Sequence, residues 1–163
     1  MTVPVIHMSE SARAASAAES RFRITRPIAP ARNARIIALD GAAEAVARRV
    51  AGGPWAAARF YGWPDDRSGP AGLRELDGGP VTLPEVLTST DVVVVLATED
   101  SGRARAAAVG DACRARSITT AGVVLGAGFE AEVATAALRP YARVLLLFAD
   151  ESDVRELLTA LRV

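Results

Sequence analysis

Asp91-Val92-Val93-Val94-Val95-Leu96-Ala97-Thr98 is the stretch whose reading decides the fold. From Val92 to Ala97 the run is wholly apolar, rich in β-branched residues and free of polar alternation. A run this short and uniform reads as a strand buried on both faces. Such strands occupy the middle of parallel sheets, where helices cover each side.

Working outward, the same grammar recurs. Downstream, Arg103 to Arg116 is predicted helical, and Gly102, Ala106 and Gly110 set small residues four apart, which lets a helix approach a sheet closely. Thr119–Leu125 reads as a strand. A helix from Phe129 to about Leu138 follows, with Phe129, Val133 and Ala137 in line. Arg143–Ala149 reads as another doubly buried strand. Val154, Leu157, Leu158 and Leu161 then mark an amphipathic helix. Upstream, Arg35–Leu39 is a strand leading through Asp40-Gly41 into an alanine-rich helix that stops at Gly52-Gly53-Pro54. Ala57–Trp63 is an aromatic-rich strand, and Pro64–Pro80 reads as a long exposed loop. Thr82-Leu-Pro-Glu85 has capping-box spacing for a short helix.

Alternation of strand and helix with right-handed crossovers predicts an α/β, three-layer Rossmann-like sandwich. The expected sheet is five-stranded and parallel, in order 2-1-3-4-5 or 3-2-1-4-5. Residues 1–34, rich in Ser, Ala, Arg and Glu and closed by Pro27 and Pro30, read as a flexible tail; residues 35–163 form the domain.

Composition removes several chemistries. The formal net charge is zero, so no basic surplus exists to draw nucleic acid or an acidic membrane. No apolar run approaches the ~20 residues of a bilayer span, and no secretory signal is evident at the N-terminus. One cysteine, Cys113, permits no internal disulfide, and a reducing, cytoplasmic setting is expected. All 19 basic residues are arginine. Without lysine there is no Walker A contact, Schiff base or lysine general base. His7 lies in the tail, far from any Ser-His-Asp arrangement, and no Cys/His cluster offers a zinc site. Cys113 falls mid-helix, where a buried small hydrophobe is expected.

Ligands of open parallel sheets sit beyond the carboxyl ends of the strands. The loops on that edge carry Asp40, Gly41, Asp65, Asp66, Glu99, Asp100, Ser101, Gly102, Arg103, Gly126, Gly128 and Asp150. Asp40, Asp100, Ser101, Asp150 and Ser152 stand where helix N-caps belong, and Asp is a preferred cap. The other reading is an acidic rim for a hydrated divalent cation or ribose hydroxyls. The turn Asp40-Gly-Ala-Ala-Glu44 has one glycine where a dinucleotide fold uses three. Gly126-Ala-Gly128 is better suited to close backbone approach, although such pairs also occur in ordinary loops. Trp55, Tyr61 and Trp63 cluster about the second strand, either as packing or as an exposed partner-binding patch.

Several stretches taken together resemble the nucleotide-binding half of the FtsZ/tubulin family. They are Arg35-Ile-Ile-Ala-Leu-Asp-Gly-Ala-Ala-Glu-Ala-Val46, Asp91–Ala97 with Ser101-Gly102 and Ala106-Ala-Ala108, Thr120-Ala-Gly-Val-Val124 with Phe129-Glu130, and Ala137-Leu-Arg139 leading to Val144–Asp150. Where that family has its G-G-G-T-G-T-G signature, this chain has Thr98-Glu-Asp-Ser-Gly-Arg-Ala104, with two carboxylates and one glycine. The family's later domain, which completes GTP hydrolysis in the neighbouring subunit, is not expected here. The resemblance therefore implies a degenerate member without GTPase activity or filaments. The leading expectation is a non-catalytic accessory or regulatory protein that needs no cofactor and acts through a protein partner or as a homodimer. The alternative is an enzyme or sensor that binds a nucleotide with Mg²⁺ along the carboxyl edge.

Overall fold

The computed structural model describes residues 29–63, 72–126 and 132–163. The expected tail up to residue 28 with His7, the pair Asp65 and Asp66, Gly128, and the Phe129 start of a helix lie outside the described residues. From residue 31 onward the chain is one compact unit.

The strands are β1 (Ala34–Ala38), β2 (Ala58–Gly62), β3 (Leu73–Glu75), β4 (Pro80–Val81), β5 (Val92–Ala97), β6 (Thr119–Leu125) and β7 (Ala142–Ala149). The helices are α1 (Gly41–Ala51), α2 (Leu83–Val86), α3 (Arg103–Ala115), α4 (Glu132–Leu138) and α5 (Glu151–Ala160), with a 3-10 turn at Asp100–Gly102. One sheet of seven strands runs β4-β3-β2-β1-β5-β6-β7. Every pair from β2 to β7 is parallel, whereas β3 and β4 pair antiparallel.

Val92–Ala97 is the fully buried central strand that its composition demands. Its alternate residues divide between two cores. Val92, Val94 and Leu96 pack with Ile36, Ala47, Val50, Val154 and Leu158 beneath α1 and α5. Val93, Val95 and Ala97 pack with Ile37, Val86, Val109, Cys113 and Leu138 beneath α2, α3 and α4. This is the three-layer α/β arrangement, broadly Rossmann-like.

Two corrections concern the sheet. It is mixed and seven-stranded, not five-stranded and parallel. The extra strands come from the end of the stretch read as a loop. Leu73 is fully buried, Gly62 pairs with Arg74, and Arg74 reaches Glu44 of α1 at 2.6 Å. Gly62 makes room for this bond, because a Cβ there would collide with the Glu44 carboxylate. Counting only the parallel strands, the order β2-β1-β5-β6-β7 follows the first of the two expected patterns.

The second correction concerns β7, which is an edge strand and not doubly buried. Leu145 and Leu146 are half-buried, one towards each core, while Val144, Leu147 and Phe148 are exposed. Register shifts against β6 bracket Val144–Leu146. At the second, Val123 to Leu125 faces the longer span Leu146 to Ala149, and Phe148 takes the left-handed backbone (φ 58°). The expected inner face of α4 is also displaced by one position. Ala134, Thr135 and Leu138 are buried and Val133 is exposed.

The small-residue spacing does place α3 close to the sheet. Gly102, Ala106 and Gly110 are all buried, and a Cβ on Gly102 would stand 2.8 Å from the Leu39 Cβ. Gly102→Ala is expected to destabilise the fold by about 1–3 kcal/mol through overpacking, read as a lower denaturant midpoint at unchanged m-value.

Candidate functional site

The crevice of greatest interest lies between β1 and β5, where the strand order reverses and ligands of such sheets usually bind. Asp40 occupies it. The residue is 1% exposed, and its Oδ1 accepts 2.8 Å from the Ala43 amide as the N-cap of α1. The Thr98 amide donates to Oδ2 at 2.7 Å, and the Thr98 hydroxyl donates to Oδ1. One carboxylate thus joins the end of β1, the start of α1 and the end of β5. An anion arriving here would meet a negative charge already bound to the amides it would need.

Arg105 closes the same region from above. Its Nη1 donates to the Leu39 carbonyl at 2.8 Å, and its guanidinium lies 5.8 Å from the centre of the Trp63 ring. Neither Thr98 nor Arg105 stood out as a Asp40 or Trp63 partner in the sequence. The available signals were a hydroxyl directly after the buried valine strand and an arginine in the first turn of the next helix.

The remaining site residues disperse. Asp100 does not cap the helix that follows it; its Oδ1 accepts from the Val133 and Ala134 amides at 2.7 and 3.1 Å, at the start of α4. Ser101 caps no helix, and its hydroxyl donates to Glu99 at 2.8 Å. Gly102 is packed against Leu39, and Arg103 is exposed at the head of α3. Gly41 is exposed at the first position of α1. Gly126 is exposed with φ 79°, a conformation that favours glycine, and its amide donates to Ala149 O at 3.0 Å.

Asp150 caps α5. It accepts from the Ser152 amide, the Ser152 hydroxyl and the Asp153 amide, while Asp153 accepts from the Asp150 amide at 2.8 Å. The Ser152 hydroxyl, then the Asp153 and Ser152 amides, hold the Asp150 carboxyl below its usual range. No group of three or more His, Cys, Asp or Glu suited to a metal ion occurs among the described residues.

The aromatic cluster requires a correction. Tyr61 and Trp63 are buried, the latter at 2% exposure, because β3 pairs with β2 and Arg105 lies against Trp63. Burial pushes the Tyr61 phenol up. Trp55 is half-buried against the α1 and α5 core, and its indole N–H donates to Val50 O at 2.7 Å. These rings pack within the chain and do not form an exposed patch. Cys113 is buried as expected, and desolvation raises its thiol.

Asp40→Ala is expected to cost about 2–3 kcal/mol, since it removes a cap and leaves two amide donors without their acceptor. Asp40→Asn, which keeps one acceptor, should lose less in the same denaturant titration. A depressed folded pKa at Asp150 means that the unfolded chain binds more protons. Its stabilisation is therefore present above the unfolded aspartate value of about 3.9 and is lost as pH falls through the lower folded value. Asp150→Asn should accordingly lessen the acid dependence of stability in that window, measured by melts across pH.

No protein-family model, no curated protein and no solved structure matches this chain.

Proposed function

We propose that this chain is a non-catalytic accessory or regulatory protein, which works through protein–protein contact and pairs with a second copy along β7. The observation that carries this reading is where exposed apolar groups gather. Among the described residues, the large exposed hydrophobics are Val133, Val144, Leu147 and Phe148, and the last three lie on the edge strand β7. Phe148 is 62% exposed.

The composition of β7 is that of a central strand, yet among the described residues no strand pairs with its outer edge. Open edges offer unpaired amides and carbonyls as a template for another strand. A second copy suits this edge on charge grounds. The only charged side chain of β7 is Arg143, near its amino end. Antiparallel pairing about a two-fold axis would set the two arginines at opposite ends and bring apolar side chains together between them. The irregularities in β7 would confine regular pairing to its middle, while the second one turns Phe148 outward.

Kinship with the FtsZ/tubulin nucleotide-binding half fits this reading as a retained frame whose phosphate loop has been replaced. The loop after β5 presents Glu99 and Asp100 in place of glycines, and its first residue, Thr98, is bound to Asp40. The alternative, a nucleotide with Mg²⁺ on the carboxyl edge, would require Asp40, Asp100 and Asp150 to release the amides they bind. No helix among the described residues is long and apolar enough to cross a membrane.

Sedimentation equilibrium tests the pairing. The full chain is expected to be dimeric, and the double variant Leu147→Glu, Phe148→Glu monomeric with an unchanged far-UV spectrum. A wild-type chain that stays monomeric up to its solubility limit, or a double variant that remains dimeric, contradicts the proposal.

A further inference from the structure

At the opposite end of the sheet from Asp40, where α3 ends and β6 and β7 begin, a groove of about 410 Å³ is lined by Arg114, Ser117, Thr119, Tyr141 and Arg143, among others. Among the described residues no carboxylate lines it. Its most defined member is Arg114. Gly110 has no Cβ, and one placed there would collide with the Tyr141 ring, so the phenol lies directly on α3. One turn further along the helix, the Arg114 guanidinium stacks 4.5 Å from the centre of that ring, and its Nη2 donates to Pro140 O at 3.2 Å. The Tyr141 hydroxyl donates to Asp111 at 2.8 Å, which fixes the ring from its far end. A guanidinium has five N–H donors, and this anchoring occupies few of them. The cation is held in place with donors to spare.

Arg143 lies on the other side of the groove with no protein partner for its guanidinium among the described residues. Ser117 is the third notable member. It follows the C-cap of α3 in the left-handed region (φ 56°), and the Ile118 amide returns to Cys113 O at 3.0 Å. Glycine is the usual residue at such a helix end, and a serine there sustains backbone strain.

We propose that this groove is a binding site for a small phosphate-bearing molecule, with Arg114 and Arg143 neutralising the dianion and Ser117 and Thr119 donating hydroxyl hydrogens to its oxygens. Two guanidinium groups and two hydroxyls on different elements suit a tetrahedral oxyanion that accepts from several directions. The volume falls in the range of small-molecule sites. The zero net charge of the chain gives no broad attraction for a polyanion, so the site is assigned to a small molecule and not to nucleic acid.

Isothermal titration of the full chain with inorganic phosphate, and separately with citrate, tests this. Saturable phosphate binding is expected, weakened at least about tenfold in both Arg114→Ala and Arg143→Ala, in line with loss of a charge-assisted contact. Ser117→Gly provides a readout that general destabilisation would not give. It should raise the melting temperature by relieving the strained backbone and also weaken phosphate binding. Absence of saturable phosphate binding, equal affinity in Arg143→Ala (an exposed residue whose loss leaves the core intact), or binding of citrate alone would overturn the assignment.

Discussion

The carboxylate of Asp40 is the point on which the carboxyl edge of this sheet depends. It is buried, and its bonds join two elements: the Ala43 amide lies in the first turn of α1, and the Thr98 amide and hydroxyl end β5. A buried carboxylate left without such donors would be costly, so these elements are held in the one arrangement that supplies them. The same crevice is the natural ligand position of an open parallel sheet. Here the fold's own negative charge fills it, while Arg105 on the Leu39 carbonyl and Gly102 against the Leu39 side chain draw α3 down over the end of β1.

A consistent division of labour follows between the two ends of the sheet. At the carboxyl end, Asp40, Asp100 and Asp150 all face backbone amides at helix starts, where the helix dipole favours negative charge. At the amino end, Arg114 and Arg143 border a groove with no carboxylate in its lining among the described residues. The acidic loops thus serve the fold. The side edge is different again. There β7, a strand of core-like composition, has no strand beyond it among the described residues, whereas on the far side β3 and β4 extend the sheet beyond β2. The ion pair of Glu44 with Arg74 ties that extension back to α1.

What could be read in advance followed from local pattern. Val92–Ala97 is buried throughout because a run of β-branched residues has no polar face to present. The Thr82 capping box forms because both of its bonds lie within one turn. Asp40 and Asp150 cap their own helices for the same reason. What escaped depends on partners distant in sequence. Asp100 caps a helix that begins beyond the next strand, and nothing near Asp100 signals this. Leu73–Glu75 and Pro80–Val81 are too short to show a period, and they exist through pairing with β2 and with each other. Tyr61 and Trp63 are buried through that pairing and through Arg105. The apolar run of β7 reads the same whether a strand of its own chain covers it or not, so its place at the edge could not be inferred from composition.

The central claim is that the crevice between β1 and β5 is closed to phosphate by the fold's own carboxylate. Amide chemical-shift perturbation on the isotope-labelled full chain, titrated with Mg²⁺ and GTP, tests it most directly. The account predicts no saturable shifts at the amides of residues 41–44 and 98–104. Saturable shifts centred on those amides, abolished when Thr98 is changed to valine, would contradict it.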